Sequence, residues 1–196
     1  MEPRPDIPLH FHSSFNELLD SFRNVIASMA WLKASGESAQ QYFAPYPYII
    51  ELSCKSTDML LKVDKSILTA VQKEGAEGKT PLFSRTLVSF YRILTIAVKD
   101  IVWEEPDFQP LLQRAEFQFL RHLRNASAHS NSFFFGTGRE RGKTLEGLPV
   151  VWRTKTITEN IEGTDLYMNY FGPGDLFVLL SDISATVRGT ERPILA

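Results

Sequence analysis

Residues Glu116–Asn131 read EFQFLRHLRNASAHSN. Phe119, Leu123 and Ala126 in this run, with Phe108, Leu112 and Ala115 just before it, recur at the three- and four-residue spacing of one helix face. The pattern predicts an amphipathic helix over PDFQPLLQRAEFQFLRHLRNASAH, with those residues in the core and Arg121 and Arg124 on the opposite side.

At the centre of the stretch stand Arg124, Asn125 and His129. A guanidinium carries a permanent positive charge that suits phosphate, and an imidazole accepts and returns protons near neutral pH. Together they form a minimal set for cutting RNA. The spacing limits how they work: five residues along a straight helix turn through roughly 140°, while His122, Asn125 and His129 run along one edge. One unbroken helix therefore cannot aim both Arg124 and His129 at one phosphate. Either the helix ends before His129, or a second copy of the chain supplies the missing half. Ser127, Ser130 and Asn131 compete for backbone hydrogen bonds and predict an end nearby; the expectation is that both apply.

Upstream, residues 1–12 are proline-rich and read as an extended arm, in which His10 and His12 alternate with no cysteine or carboxylate cluster to complete a metal site. Ser13 or Ser14, with Glu17 behind, caps a first helix carrying Phe15, Leu18, Leu19, Phe22 and Ile26 on one side. Its Arg23-Asn24 pair is followed by no histidine, so half of the central pattern arises without it. A polar break is expected at Gly36–Gln41, then a helix from about Pro47 with Ile50, Cys54, Leu60, Leu61, Ile67, Leu68 and Val71 buried, Cys54 as an apolar filler. KEGAEGKT reads as a loop. Thr80 and Pro81 open a further helix, apolar through Leu82, Leu87, Phe90, Ile93, Leu94 and Val98, which is expected to be the central member of the bundle.

Downstream, SFFFGTGRERGK turns from aromatic to basic and reads as a solvated glycine-containing loop bearing Arg139, Arg141 and Lys143; it lacks the spacing of a phosphate-binding P-loop. Residues 149–171 change to a two-residue period and predict a β-hairpin turning at Glu162-Gly163. Gly172-Pro173-Gly174-Asp175 forms a turn with an acidic N-cap, and a final helix over 175–188 closes the chain.

The bulk numbers fit this outline. With 196 residues, 43% hydrophobic and 22% charged, the chain is long enough for one sizeable core, and a single domain over 1–196 is expected, with the bundle at 13–130. A net charge of -2 gives no global basic field, so any contact with nucleic acid must be local. A lone Cys54 excludes an internal disulfide; with neither a signal-like leader nor a bilayer-length apolar run, a soluble cytoplasmic protein that binds no membrane is expected.

At Arg124-Asn125-Ala126-Ser127-Ala128-His129 the sequence resembles the HEPN (higher eukaryotes and prokaryotes nucleotide-binding) superfamily, whose signature is an arginine, a polar residue and a histidine four to six residues on, late on a bundle helix. Trp152-Arg153, Ile157-Thr158-Glu159 and Gly163 are also similar to a short hairpin that follows the motif in some relatives. The resemblance implies a mainly α fold: an antiparallel helical bundle with a small C-terminal β-hairpin and a final helix. It further implies a metal-independent endoribonuclease needing no cofactor, working as a homodimer through the motif helix. His129 would take the proton of the substrate's 2'-hydroxyl, Arg124 would stabilise charge on the phosphoryl oxygens, and Asn125 would orient groups by hydrogen bonding. Arg121, His122, Arg139, Arg141 and Lys143 become candidate substrate contacts, and Glu116 an acidic residue of interest on the same helix. In such a setting the enzyme serves as a toxin or defence effector, restrained by an antitoxin or defence partner. The competing expectation is a HEPN-like bundle that does not cleave and acts as an interaction or nucleotide-binding module.

Overall fold

The computed structural model describes residues 9–43, 45, 50–53, 60–63, 73, 81–145, 147–167 and 169–189. The expected loop KEGAEGKT apart from its first residue, Lys73, the cap at Thr80, and the expected buried Cys54, Ile67, Leu68 and Val71 lie outside them. Helix accounts for 67% of what is described, so the fold is mainly α, with small antiparallel β pairs and a C-terminal helix. Among the described residues no helix is long and apolar enough to cross a membrane. The chain divides into two compact units, Asp20–Leu87 on one side and Met1–Leu19 with Val88–Ala196 on the other.

In the unit Asp20–Leu87, helix α1 (Asn16–Phe43) continues through Gly36–Gln41, where a break was expected. One helical glycine costs only about 1 kcal/mol, and the residues around Gly36 tolerate helix well enough to carry it. The helix expected from Pro47 is replaced, where described, by β1 (Ile50–Ser53) and β2 (Leu60–Val63), paired antiparallel with Ile50 opposite Val63 and Ser53 opposite Leu60. Ile50-Glu51-Leu52-Ser53 alternates apolar and polar, and over four residues a period of 2 cannot be told from a period of 3.6.

The other unit contains the motif. Helix α2 (Pro81–Glu104) enters it at Val88 and buries Tyr91, Leu94, Val98 and Val102, yet leaves Ile93 66% exposed. It is therefore amphipathic here, and the central position falls to the last helix, α5 (Pro173–Arg188), in which every residue from Leu179 to Ala185 is buried. Small side chains make this possible: Ser184 donates to the Leu180 carbonyl and accepts from the His12 N–H at 2.8 Å, while Ser181 accepts from the His10 N–H at 3.3 Å. The described part of the N-terminal arm is thus fastened to α5, and the His12 ring lies on Phe108, 4.9 Å between centroids. Helix α5 begins with Pro173 behind Gly172 as N-cap; Asp175 is the third helical residue, not the cap, and accepts the Gly172 N–H at 2.8 Å.

The motif helix is shorter than its apolar pattern. Residues Pro106–Leu111 form a 3-10 helix, and α3 (Ala115–Ala128) begins after it. Pro110 has no N–H to give and its ring crowds the preceding turn, which ends any α-helix at that point. Behind α3 come a short helix α4 (Gly138–Leu145), where a loop was expected, and a hairpin of β3 (Val150–Trp152) and β4 (Lys155–Ile157). No residue of α4 is buried, so hydrogen bonds and an ion pair hold it: the Thr144 hydroxyl on the Glu140 carbonyl, and Arg141 on Glu162. The hairpin turns at Arg153-Thr154 rather than at Glu162-Gly163, with Arg153 at φ 51°. Val150, Trp152 and Ile157 face the core against α3, where Phe119 lies 5.3 Å from the Trp152 ring.

Candidate functional site

Helix α3 buries a wide arc comprising Glu116, Phe117, Phe119, Leu120, His122, Leu123, Ala126 and Ser127. Five of these, Glu116, Phe117, Leu120, His122 and Ser127, were not assigned to the core from sequence, and they change the surroundings of the motif. In helical projection Arg124 falls between Phe117 and Leu120. Instead of facing away from the core, it lies on the flank of the buried arc, partly exposed, with its Nε buried and lacking any hydrogen-bond partner. His122, expected beside His129 as a substrate contact, is only 2% exposed. Phe135 returns over it, 6.2 Å between ring centroids, and its Nε2 lies 3.3 Å from Arg121 Nη2. Burial, with the Arg121 charge adding to it, lowers the His122 pKa to about 4, so this ring is held neutral and away from solvent.

The helix ends at Ala128 with His129 as C-cap, near where Ser127, Ser130 and Asn131 predict an end. The ending does not re-aim the imidazole. The His129 N–H still donates to the Asn125 carbonyl at 3.0 Å, so His129 stays on the helical track one turn beyond Asn125. The chain departs only afterwards, through Ser130 at φ 56° and Asn131 at φ 70°. Arg121, Asn125 and His129 consequently form a ridge at four-residue steps, with His129 exposed at its end. Arg124 remains roughly 140° round the helix from His129, and one chain does not bring these two together.

At this end of α3, Arg92 and Phe134 were not singled out from sequence, and Asn131 was read only as a helix-ending residue. Arg92 of α2 donates its Nε to the Ser127 carbonyl at 2.7 Å, placing a cation where the helix dipole leaves partial negative charge. An arginine between the apolar Tyr91 and Ile93 was the available signal. Asn131 brackets Tyr167, its Oδ1 accepting the Tyr167 N–H at 3.0 Å and its Nδ2 donating to the Tyr167 carbonyl at 3.3 Å. Phe134 presents its ring to His129 at 5.0 Å. The Ser127 hydroxyl is buried and unpaired.

The basic candidates of α4 divide. Arg141 donates twice to Glu162, at 2.9 and 2.7 Å, and its hydrogen bond is the main reason the Glu162 carboxyl lies below its usual range. Its charge is thereby matched, and Glu162 also accepts the Phe135 N–H. Arg139 and Lys143 are exposed and four residues apart, so they share one face of α4. No hydrogen bond or ion pair among the described residues joins either of them to Arg124 or His129.

Trp152 and Arg153 of the hairpin belong to a closed cluster. Asp182, fully buried on α5, accepts Trp152 Nε1 at 2.9 Å, Arg153 Nε at 2.7 Å and, on its other oxygen, Arg153 Nη2 at 2.7 Å. Glu116 is buried too, and accepts the Thr186 hydroxyl of α5 at 2.5 Å, so it joins α3 to α5. Compared with family models, curated proteins and solved structures, the chain matches none of them.

Proposed function

We propose that this protein is a metal-independent endoribonuclease whose active unit is a two-fold dimer paired through α3. The observation that carries the reading is the ridge of α3, where an exposed imidazole follows an amide and a guanidinium at four-residue steps, with the uncompensated Arg124 on the adjoining flank. His129 takes the proton from the substrate's 2'-hydroxyl as its oxygen forms a bond to the adjacent phosphorus. The P–O5' bond breaks, the departing 5'-oxygen receives a proton from the partner subunit's His129, and the products are a 2',3'-cyclic phosphate and a 5'-hydroxyl. Arg124 of the partner subunit meets the charge growing on the phosphoryl oxygens, because the arginine of the same chain points elsewhere. Asn125 orients the phosphate or the imidazole, and Arg121, Arg139 and Lys143 supply backbone contacts. In this reading the enzyme acts in the cytoplasm as a toxin or defence effector held in check by an antitoxin or defence partner.

The second reading is a HEPN-like interaction or nucleotide-binding module that does not cleave. The part-burial of Arg124 and its angle from His129 favour it for a chain that stays monomeric. Structured and single-stranded RNA incubated in EDTA with wild type, Arg124→Ala and His129→Ala decides between the two. Cleavage by wild type, falling about 10² to 10⁴-fold in His129→Ala, supports the enzyme. Binding without cleavage by all three proteins supports the module, and a purified wild type that is monomeric and inactive ends the nuclease reading.

A further inference from the structure

The segment that follows the motif helix is built to hold one aromatic ring outside the core. The burial of Phe133, Phe134 and Phe135 alternates as a strand's does: Phe133 and Phe135 are buried while Phe134 is 41% exposed. The backbone on both sides is fixed. Ser132 N–H donates to the His129 carbonyl, Phe133 N–H to Thr164, Gly163 N–H to the Phe133 carbonyl at 2.8 Å, and Phe135 N–H to the Glu162 carboxylate. Two successive non-glycine residues in the left-handed region, Ser130 and Asn131, begin the segment, and the Asn131 amide secures the second of them to Tyr167.

This framework places the Phe134 ring against the His129 imidazole, 5.0 Å between centroids and tilted by 56°. Along the chain its exposed neighbours are polar or small, Ala128, His129 and Ser130, and not a continuous apolar patch. The other large apolar side chains exposed among the described residues, Ile93 and Val151, stand on different elements. A protein partner wants contiguous apolar area, whereas an unpaired nucleobase is held by an isolated ring, since each base offers a π-face.

We propose that Phe134 is a stacking platform for an unpaired nucleobase, so that the substrate class is single-stranded RNA, or RNA with a flipped-out base, and the base adjoining the scissile linkage is held beside His129. The assignment rests on the nuclease reading for its meaning but makes a separate claim about binding. The platform supplies affinity without reading sequence, because stacking is tolerant of base identity. It also gives the protein with little net charge a way to hold RNA without a broad basic field.

The test uses the full chain and a short single-stranded 2'-deoxy oligonucleotide carrying 2-aminopurine, which cannot be cut through a 2'-hydroxyl and whose fluorescence drops on stacking. Wild type should bind and quench it, Phe134→Ala should weaken binding about tenfold and abolish the quench, and Phe134→Trp and Phe134→Tyr should restore both. Phe134→Leu preserves apolar bulk without a π-face and should behave as alanine does. Equal binding by wild type and Phe134→Ala overturns the proposal, as does full function of Phe134→Leu. Loss of the dimer in Phe134→Ala, seen by sedimentation and accounting for the loss of binding, overturns it in favour of a subunit contact. Failure of the nuclease reading is distinct, because it shows as absence of RNA cleavage by wild type whatever the Phe134 variants bind.

Discussion

Arg153 and Arg124 belong to the same compact unit and meet opposite fates. Arg153, on the turn of the β3–β4 hairpin, gives two nitrogens to a buried carboxylate that also holds the Trp152 indole. Arg124, on the flank of α3, keeps a buried nitrogen with no partner at all. A bidentate pair with its oxygens satisfied holds a fold together and leaves nothing over for a ligand. A guanidinium partly withdrawn from water and left uncompensated contributes little to the fold and retains its full attraction for an anion. The contrast separates a guanidinium spent on holding the unit together from one whose buried nitrogen is not.

The largest effect expected from this contrast is on the scaffold side. Asp182→Ala strands the Arg153 charge and the Trp152 N–H, and should cost about 3–5 kcal/mol in urea unfolding. The loss should shrink in the Asp182→Ala, Arg153→Ala double variant, since the two residues act as a pair.

Next comes His122, held neutral under Phe135 on α3. Its pKa is lowered to about 4 in the fold, so the unfolded chain takes up its proton first as pH falls. The stability linked to His122 is complete above the unfolded value of about 6.5 and is lost on descending towards pH 4, to a total of about 3 kcal/mol. Thermal unfolding from pH 7.5 to 4.5 should therefore be flatter in His122→Asn than in wild type.

Asn131 tests how firmly the open end is built. Asn131→Ala removes two hydrogen bonds to Tyr167 and puts an unsuited residue at φ 70°, a loss of about 1–3 kcal/mol. Asn131→Gly keeps the backbone angle accessible and should lose less, as judged by the same denaturation midpoint.

The smallest effect is the most telling. Arg124→Ala should change stability by about 0.5 kcal/mol or less, because no hydrogen bond is broken and an unsatisfied buried nitrogen disappears. A loss above about 2 kcal/mol in urea would erase the distinction between the two arginines and make Arg124 part of the scaffold.

Much of this architecture is legible in the residues. The helix beginning at Pro81, the closing helix and the ending of α3 near His129 follow from proline, capping residues and apolar spacing, which act within a few residues. Short pieces were not legible. Ile50–Ser53 and Leu60–Val63 carry too few residues to fix a period, and α4 has no buried face to announce it. The hairpin was foreseen but its turn was misplaced, because Arg153 adopts its left-handed backbone next to a carboxylate 29 residues away in sequence.

By itself, then, the sequence determined that the fold is mainly helical and that Arg124, Asn125 and His129 fall late on one helix. Those outcomes depend on local propensity and spacing, which each segment carries within itself. Only tertiary structure decided that His122 is sealed under Phe135, that Arg141 is matched by Glu162, that Arg92 caps the motif helix and that Phe134 stands beside His129. Burial and pairing are properties of what the rest of the chain brings alongside a residue, and no spacing along one helix encodes them.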